Sequence, residues 1–220
     1  MNPPMAALFR FLAIAIITAS TLVACNFWVG NAPSYLPNQS LEPTALPLVP
    51  NIDPKNFDPV RTPDAPYLQT PSQAVTKMLE MAKVTPTDVV YDLGSGDGRI
   101  VIAAARDFGA KAIGIEIDPE LIRDSGKEAK SVISKTPNLG DRLKFVKQDL
   151  FKTDLANATV ITLYLSEKAN LRVISDILPK LKSGTRVVSY RYNLGNLSPI
   201  QTEKIKIGDK EYMIYLWFLD

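Results

Sequence analysis

Hydrophobic and polar positions divide the chain into three stretches. Residues 11–23 form an uncharged apolar run, and residues 31–66 are polar and punctuated by Pro33, Pro37, Pro43, Pro47, Pro50, Pro54, Pro59 and Pro63. From there on, apolar runs of strand length alternate with segments of helical period. Thr70-Pro71-Ser72-Gln73 predicts a helix start, with Thr70 as N-cap, Pro71 in the first helical position and Gln73 completing a capping box. Val75, Met78, Leu79 and Ala82 carry that helix to about Lys83. Strands are predicted over 89–92, 112–117, 143–147, 160–165 and 185–190, with helices over 99–108, 119–134 and 169–181. The chain ends differently: 203–207, a turn at Gly208-Asp209, and 211–219 read as a β-hairpin. Strand-helix alternation of this kind argues a mostly parallel sheet with helices on both faces, closed here by an antiparallel pair.

The amino-terminal stretch changes the picture of where the domain sits. One charge at Arg10, a short apolar run and then Ala24-Cys25 describe a secretory signal. Leu22-Val23-Ala24-Cys25 looks like a lipobox, which would make Cys25 a lipid-bearing first residue and not a redox group. A plain span over 11–30 is the alternative, because that stretch is uncharged for about the length a bilayer requires. Either way the protein is expected on a membrane. No Lys or Arg follows Arg10 until Lys55, which favours the domain lying outside. The Pro-rich stretch cannot propagate a helix or a central strand and reads as a spacer. The expected organisation is an anchor over 1–25, a linker over 26–65 and one domain over 66–220.

Composition narrows the chemistry. The 220 residues carry a formal net charge of +2, no His and one Cys. Absence of His removes imidazole bases and most zinc sites, and a single Cys removes thiolate clusters, so no metal is expected. A near-neutral chain offers no electrostatic case for nucleic acid.

Asp92-Leu93-Gly94-Ser95-Gly96-Asp97-Gly98 sits where the first strand meets the next helix, the crevice in which doubly wound sheets bind ligands. A dinucleotide fingerprint needs its third glycine where Arg99 stands, so the loop misses that pattern. Its carboxylates at Asp92 and Asp97 would oppose a pyrophosphate. They would stabilise the positive amine and sulfonium of S-adenosylmethionine (SAM). Glu116 ends the second strand, about 20 residues on, where an acidic side chain can bind ribose hydroxyls. Asp149 follows the third strand at the same sheet edge. Asp92, Gly94, Ser95, Gly96, Gly98, Glu116 and Asp149 are therefore candidate SAM-binding residues.

An alternating domain that closes with an antiparallel pair resembles the class I methyltransferases, with a Rossmann-like, seven-stranded sheet. That resemblance implies that Asp149 contacts the adenine amine and that the backbone N–H of Leu150 faces the ring. A closer resemblance rests on ordered blocks: Pro66-Tyr67-Leu68-Gln69-Thr70-Pro71, the loop with Arg99-Ile100-Val101, Gln148-Asp149-Leu150-Phe151, Thr162-Leu163-Tyr164-Leu165, and Gly184 to Ser189. Over about 66–189 these are similar to the small membrane-anchored protein-lysine methyltransferases of mitochondria and their bacterial relatives. The resemblance implies methyl transfer from SAM to a lysine ε-amine of a protein acceptor, with Tyr67 and Thr70 closing over the cofactor. The acceptor amine must be neutral to attack, and Tyr164 and Tyr67 are the candidate wall and hydrogen-bond acceptor. The chain departs from the family pattern at Ser166-Glu167 and at 189–197, positions that border the acceptor. Two alternatives keep the fold, a small-molecule methyltransferase and a non-catalytic exported lipoprotein; an NAD-dependent oxidoreductase is disfavoured by the loop spacing.

Overall fold

A computed structural model describes residues 67–220. The predicted anchor, the linker and Cys25 lie outside the described residues.

The strands are β1 (Val89–Leu93), β2 (Lys111–Glu116), β3 (Leu143–Lys147), β4 (Val160–Leu163), β5 (Arg186–Tyr190), β6 (Gln201–Ile207) and β7 (Lys210–Phe218). They form one seven-stranded sheet in the order β3-β2-β1-β4-β5-β7-β6. β1 to β5 pair in parallel, whereas β7 runs antiparallel between β5 and β6. This is the fold class expected from the alternation, including the closing hairpin. The chain works outward from β1 to β3, then returns to the other side of β1, so the switch point lies between β1 and β4.

Helices cover both faces. On one face α1 (Ser72–Met81) and α2 (Arg99–Phe108) bury Val75, Met78, Leu79, Ile100, Val101 and Ala104 against Val90, Val160, Val188 and Ile214. The long α3 (Pro119–Lys135) joins that face through Val132 and Ile133. On the other, α4 (Glu167–Asp176) brings Ala169 and Val173 onto Leu93, Ile161, Leu163, Val187 and Trp217. Central strands meet apolar layers on both sides, which is why β4 is buried at all four positions and reads as an uninterrupted apolar run.

Several boundaries differ from the sequence reading, most of them by one or two residues. Thr70 does not cap α1: the N-cap is Pro71, whose extended ψ of 142° precedes the helix and whose carbonyl accepts the first helical bond, from Val75 N at 3.0 Å. Thr70 is instead 5% exposed and turns its carbonyl to Arg99. β4 stops at Leu163, two residues short of the predicted end, and α4 starts early because Ser166 caps it, accepting from Ala169 N at 3.2 Å. α4 ends before Pro179, which lacks the N–H a helix needs, and gives way to a 3-10 turn over Leu178–Lys180.

Candidate active site

The carboxyl ends of β1, β2, β3 and β4 frame a cleft of about 340 Å³. Asp92, next to last in β1, is 2% exposed and accepts a hydrogen bond from Thr162 Oγ1 on β4 at 2.6 Å. Burial pushes its carboxyl up to about 7, and the negative charges of Glu116 and Asp97 add to the shift against the opposing Thr162 bond. A carboxylate in that position needs a cation to complete it. Glu116 ends β2 with its side chain folded onto backbone donors. One oxygen accepts from Gly96 N at 2.9 Å; the other accepts from Ile117 N at 2.8 Å and Asp118 N at 3.0 Å. Asp149 follows β3, caps the short turn over Leu150–Lys152, and accepts from Phe151 N at 3.0 Å.

The glycine loop is shaped by what lies on it. Gly96 has φ of 55°, and a Cβ there would come within 2.4 Å of the Tyr67 ring, so only glycine lets that ring lie flat on the loop. A Cβ on Gly98, which has φ of 82°, would likewise come within 2.5 Å of the Phe145 ring. Just before Gly96, Ser95 is 5% exposed, and its Oγ has no hydrogen-bond partner. A buried orphan hydroxyl on the wall of a cleft is unfavourable by itself and is explained by a ligand that supplies the partner.

Residues 67–70 cross over the loop and are pinned there. Arg99, the first residue of α2, donates to the Thr70 carbonyl at 2.8 Å and grips Asp97, its Nη2 lying 2.6 Å from Oδ2. Burial would raise the Asp97 carboxyl, but the bonds from Arg99 and Tyr67 outweigh it and hold Asp97 below the usual carboxylate range. The Tyr67 hydroxyl is raised, by burial first and then by Asp97. Asp97 therefore serves as the clasp of this strap, and the charge it was expected to offer the ligand is neutralised largely by Arg99.

On the far side, Tyr164 follows β4 and packs edge-on against Tyr190 at 4.9 Å and stacks with Tyr192 at 6.5 Å. Burial, with Tyr164 and Tyr212 adding, drives the Tyr190 hydroxyl up to about 12. Among the described residues no cluster of three or more His, Cys, Asp or Glu is placed to hold a metal, and no helix is long and apolar enough to cross a membrane.

A family model described as the ANTKMT methyltransferase domain matches residues 92–201. A protein-lysine N-methyltransferase of Saccharolobus islandicus (strain REY15A) is 41% identical over 158 residues, 71% of this chain and 95% of its own length. The chain belongs to the ANTKMT methyltransferase domain family. It is a SAM-dependent methyltransferase. The adenine nucleotide translocase lysine N-methyltransferase of Mus musculus is 30% identical over 61% of this chain, which spans 56% of that relative. A solved structure described as an RNA methyltransferase from Salinibacter ruber, in complex with S-adenosyl-L-homocysteine, has 41% identity and a TM-score of 0.62, covering 69% of this chain and 94% of its own.

In this methyltransferase Tyr67, Thr70, Asp92, Gly94, Ser95, Glu116, Asp149, Leu150 and Tyr164, all singled out from sequence, line one cleft. Gly96 and Gly98 are not on its surface; one is roofed by Tyr67 and the other packed on Phe145. Sequence reasoning missed Arg99 and Asp118, which also line it. Asp118 was legible, being two residues past a strand that ends in Glu116. Arg99 was not, since its role depends on a backbone carbonyl 29 residues away.

Proposed function

We propose that this methyltransferase modifies the ε-amine of a lysine in a protein acceptor held at a membrane. The observation that carries the lysine reading is the extent of the likeness to the Saccharolobus islandicus enzyme. It runs through 95% of that enzyme and 71% of this chain, far beyond the length of the cofactor loop.

SAM, when bound, supplies a methyl group already activated by its sulfonium. The residues present fit it: the under-paired Asp92 for the cationic amine, Glu116 for the ribose through its remaining acceptor capacity, Asp149 and the Leu150 N–H for adenine, and Ser95 Oγ, Thr70 and the Gly94 backbone along the wall. Gly96 and Gly98 let the loop take its shape. Tyr67 from the strap and Tyr164 from the β4 end flank the acceptor entrance, aligning the nucleophile and excluding water. The segment over 1–25 attaches the domain to the bilayer, through a lipid on Cys25 or as an apolar span.

The Salinibacter ruber structure favours a second reading, an RNA acceptor, which the chain's small net charge of +2 argues against. One experiment separates them. The full chain is incubated with methyl-labelled SAM, membranes and total RNA of the source organism, and the label is followed after protease and ribonuclease treatment. Label in methyllysine supports the reading; label in nucleotides replaces it with the second. Membrane attachment has its own test, since a lipoprotein would take up labelled fatty acid on Cys25 and lose that label in Cys25→Ser, whereas a spanning protein would take up none.

A further inference from the structure

The end of β5 carries a backbone conformation that β-strands do not need. Tyr192 N donates to Tyr190 O at 2.9 Å across a single residue, and that residue, Arg191, has φ of 71°. This is a γ-turn of the rare positive-φ kind, strained for a residue with a long side chain. The surroundings over-determine it. Arg191 N donates to Met213 O on β7 at 2.7 Å. The Tyr192 carbonyl receives both Ser189 Oγ at 2.7 Å and Asn170 Nδ2 at 3.2 Å, from two side chains that are wholly buried. Asn170 Nδ2 also reaches Asn193 O at 3.1 Å, tying the loop to α4.

What the turn achieves is the placement of a cation. The Arg191 guanidinium lies 3.5 Å from the Tyr164 hydroxyl, 5.0 Å from the centre of the Tyr192 ring and 5.9 Å from that of Tyr212. Tyr164 lines the cleft and Arg191 does not, so the charge reaches the cleft through the tyrosine hydroxyl it touches. The titratable groups acting on the guanidinium are the hydroxyls of Tyr164 after β4, Tyr192 after β5 and Tyr212 on β7. No carboxylate is among them, so no ion pair ties the guanidinium on this side; the carboxylates of Asp92, Asp97, Glu116, Asp118 and Asp149 line the same cleft and oppose its field there.

Resting on the lysine reading above, we propose that Arg191 is a positioning residue that selects the neutral form of the acceptor amine. A lysine enters protonated and must lose that proton to solvent before its nitrogen has a lone pair to offer. A fixed cation behind an aromatic wall penalises the ammonium and leaves the amine untouched, which lowers the amine's pKa in place. The chain has no His to act as a base, so a field effect does this work without a proton acceptor. The same charge orients the Tyr164 hydroxyl by donating to its oxygen.

The test is the pH dependence of methyl transfer by the full chain to lysine in source-organism membranes, at saturating SAM, from pH 6.5 to 10. Arg191→Gln is expected to move the acid limb upward by up to about half a pH unit, the effect of one solvent-exposed charge several ångströms away, screened by salt. At pH 7 it should be up to about threefold slower than wild type, with the gap narrowing toward pH 10; Arg191→Lys, which keeps the charge, should stay close to wild type. SAM affinity of the variants, read from the ligand-induced melting shift, should not change. A uniform loss at every pH would mark a purely structural role and overturn the proposal, as would an unshifted profile. If Arg191→Gln does not fold, Arg191→Asn, a residue that tolerates positive φ, removes the same charge and carries the same expected shift. A wild-type enzyme that labels no lysine sinks the underlying reading instead, an outcome visible before any variant is made.

Discussion

Asp88 and Asp92 stand four residues apart, just before β1 and near its end, almost equally buried at 5% and 2% exposure. Their surroundings are opposite. Asp88 receives Thr159 Oγ1 at 2.7 Å, Thr85 N at 2.8 Å, Thr85 Oγ1 at 2.9 Å and an ion pair from Arg186, which also donates to the Ala82 carbonyl at 2.7 Å. Burial would raise it, but these bonds prevail and its carboxyl sits below the ordinary value. Asp92 has Thr162, and its carboxyl is pushed up to about 7. A buried carboxylate with every lone pair used closes a structure; one left short of partners among like charges costs stability and is kept for a ligand. The amino edge of this sheet is built for folding and the carboxyl edge for binding.

The sharpest way to break this contrast is to remove the under-paired end. Asp92→Ala and Glu116→Ala should each abolish SAM binding measurable by calorimetry while the domain stays folded; unchanged affinity in both would move the site elsewhere. Next is pH. Because the folded pKa of Asp92 lies near 7 and its unfolded one near 3.9, the folded state holds a proton that the unfolded state releases. Stability without ligand should therefore fall as pH rises from about 4 to 7, by on the order of 4 kcal/mol in all, then level off. SAM affinity should rise through pH 5 to 7, with a proton released on binding. Asp92→Asn should flatten both trends.

Asp88→Ala acts on the other edge. It should cost about 3 kcal/mol by leaving Arg186 and Thr159 without their acceptor, and leave SAM affinity alone. The Asp88 contribution has the reverse sign with pH, present above its unfolded value and lost as pH falls through the lowered folded one. A drop in SAM affinity with Asp88→Ala would blur the division between the edges. The smallest effect belongs to Ser95→Ala. Removing an orphan hydroxyl should leave unliganded stability within about 1 kcal/mol of wild type and weaken SAM binding severalfold.

The contrast also explains what could be read in advance. Strand alternation predicted the sheet and the closing hairpin because apolar runs such as 160–163 follow from burial on both faces. Asp92, Glu116 and Asp149 were legible because each stands at or just past a strand end, where topology gathers ligands. Thr70 looked like a cap because Pro71 and Gln73 follow it; the decisive partner was Arg99, distant in sequence. Asp97 read as a charge for the ligand for the same reason. The Arg191 turn was invisible, since nothing local in Tyr190-Arg191-Tyr192 demands a positive φ. It is imposed by Asn170, Ser189 and Met213.

Because the chain finishes β1, β2 and β3 before it crosses to β4, residues 92–152 carry the proposed cofactor groups from Asp92 to Leu150 and residues 160–218 the proposed acceptor residue Tyr164, as two contiguous blocks that both follow the strap of Tyr67 and Thr70. A single crossover within 153–159 would exchange one block between relatives. The contacts that must match across the seam include Thr162 to Asp92, Thr159 to Asp88, the ion pair of Arg186 with Asp88 and the pairing of residues 90–93 with 160–163. A chimera that keeps these inherits its methyl donor from one parent and its choice of acceptor from the other. Recombination at that seam gives a lineage a route to new acceptors without relearning how to hold SAM.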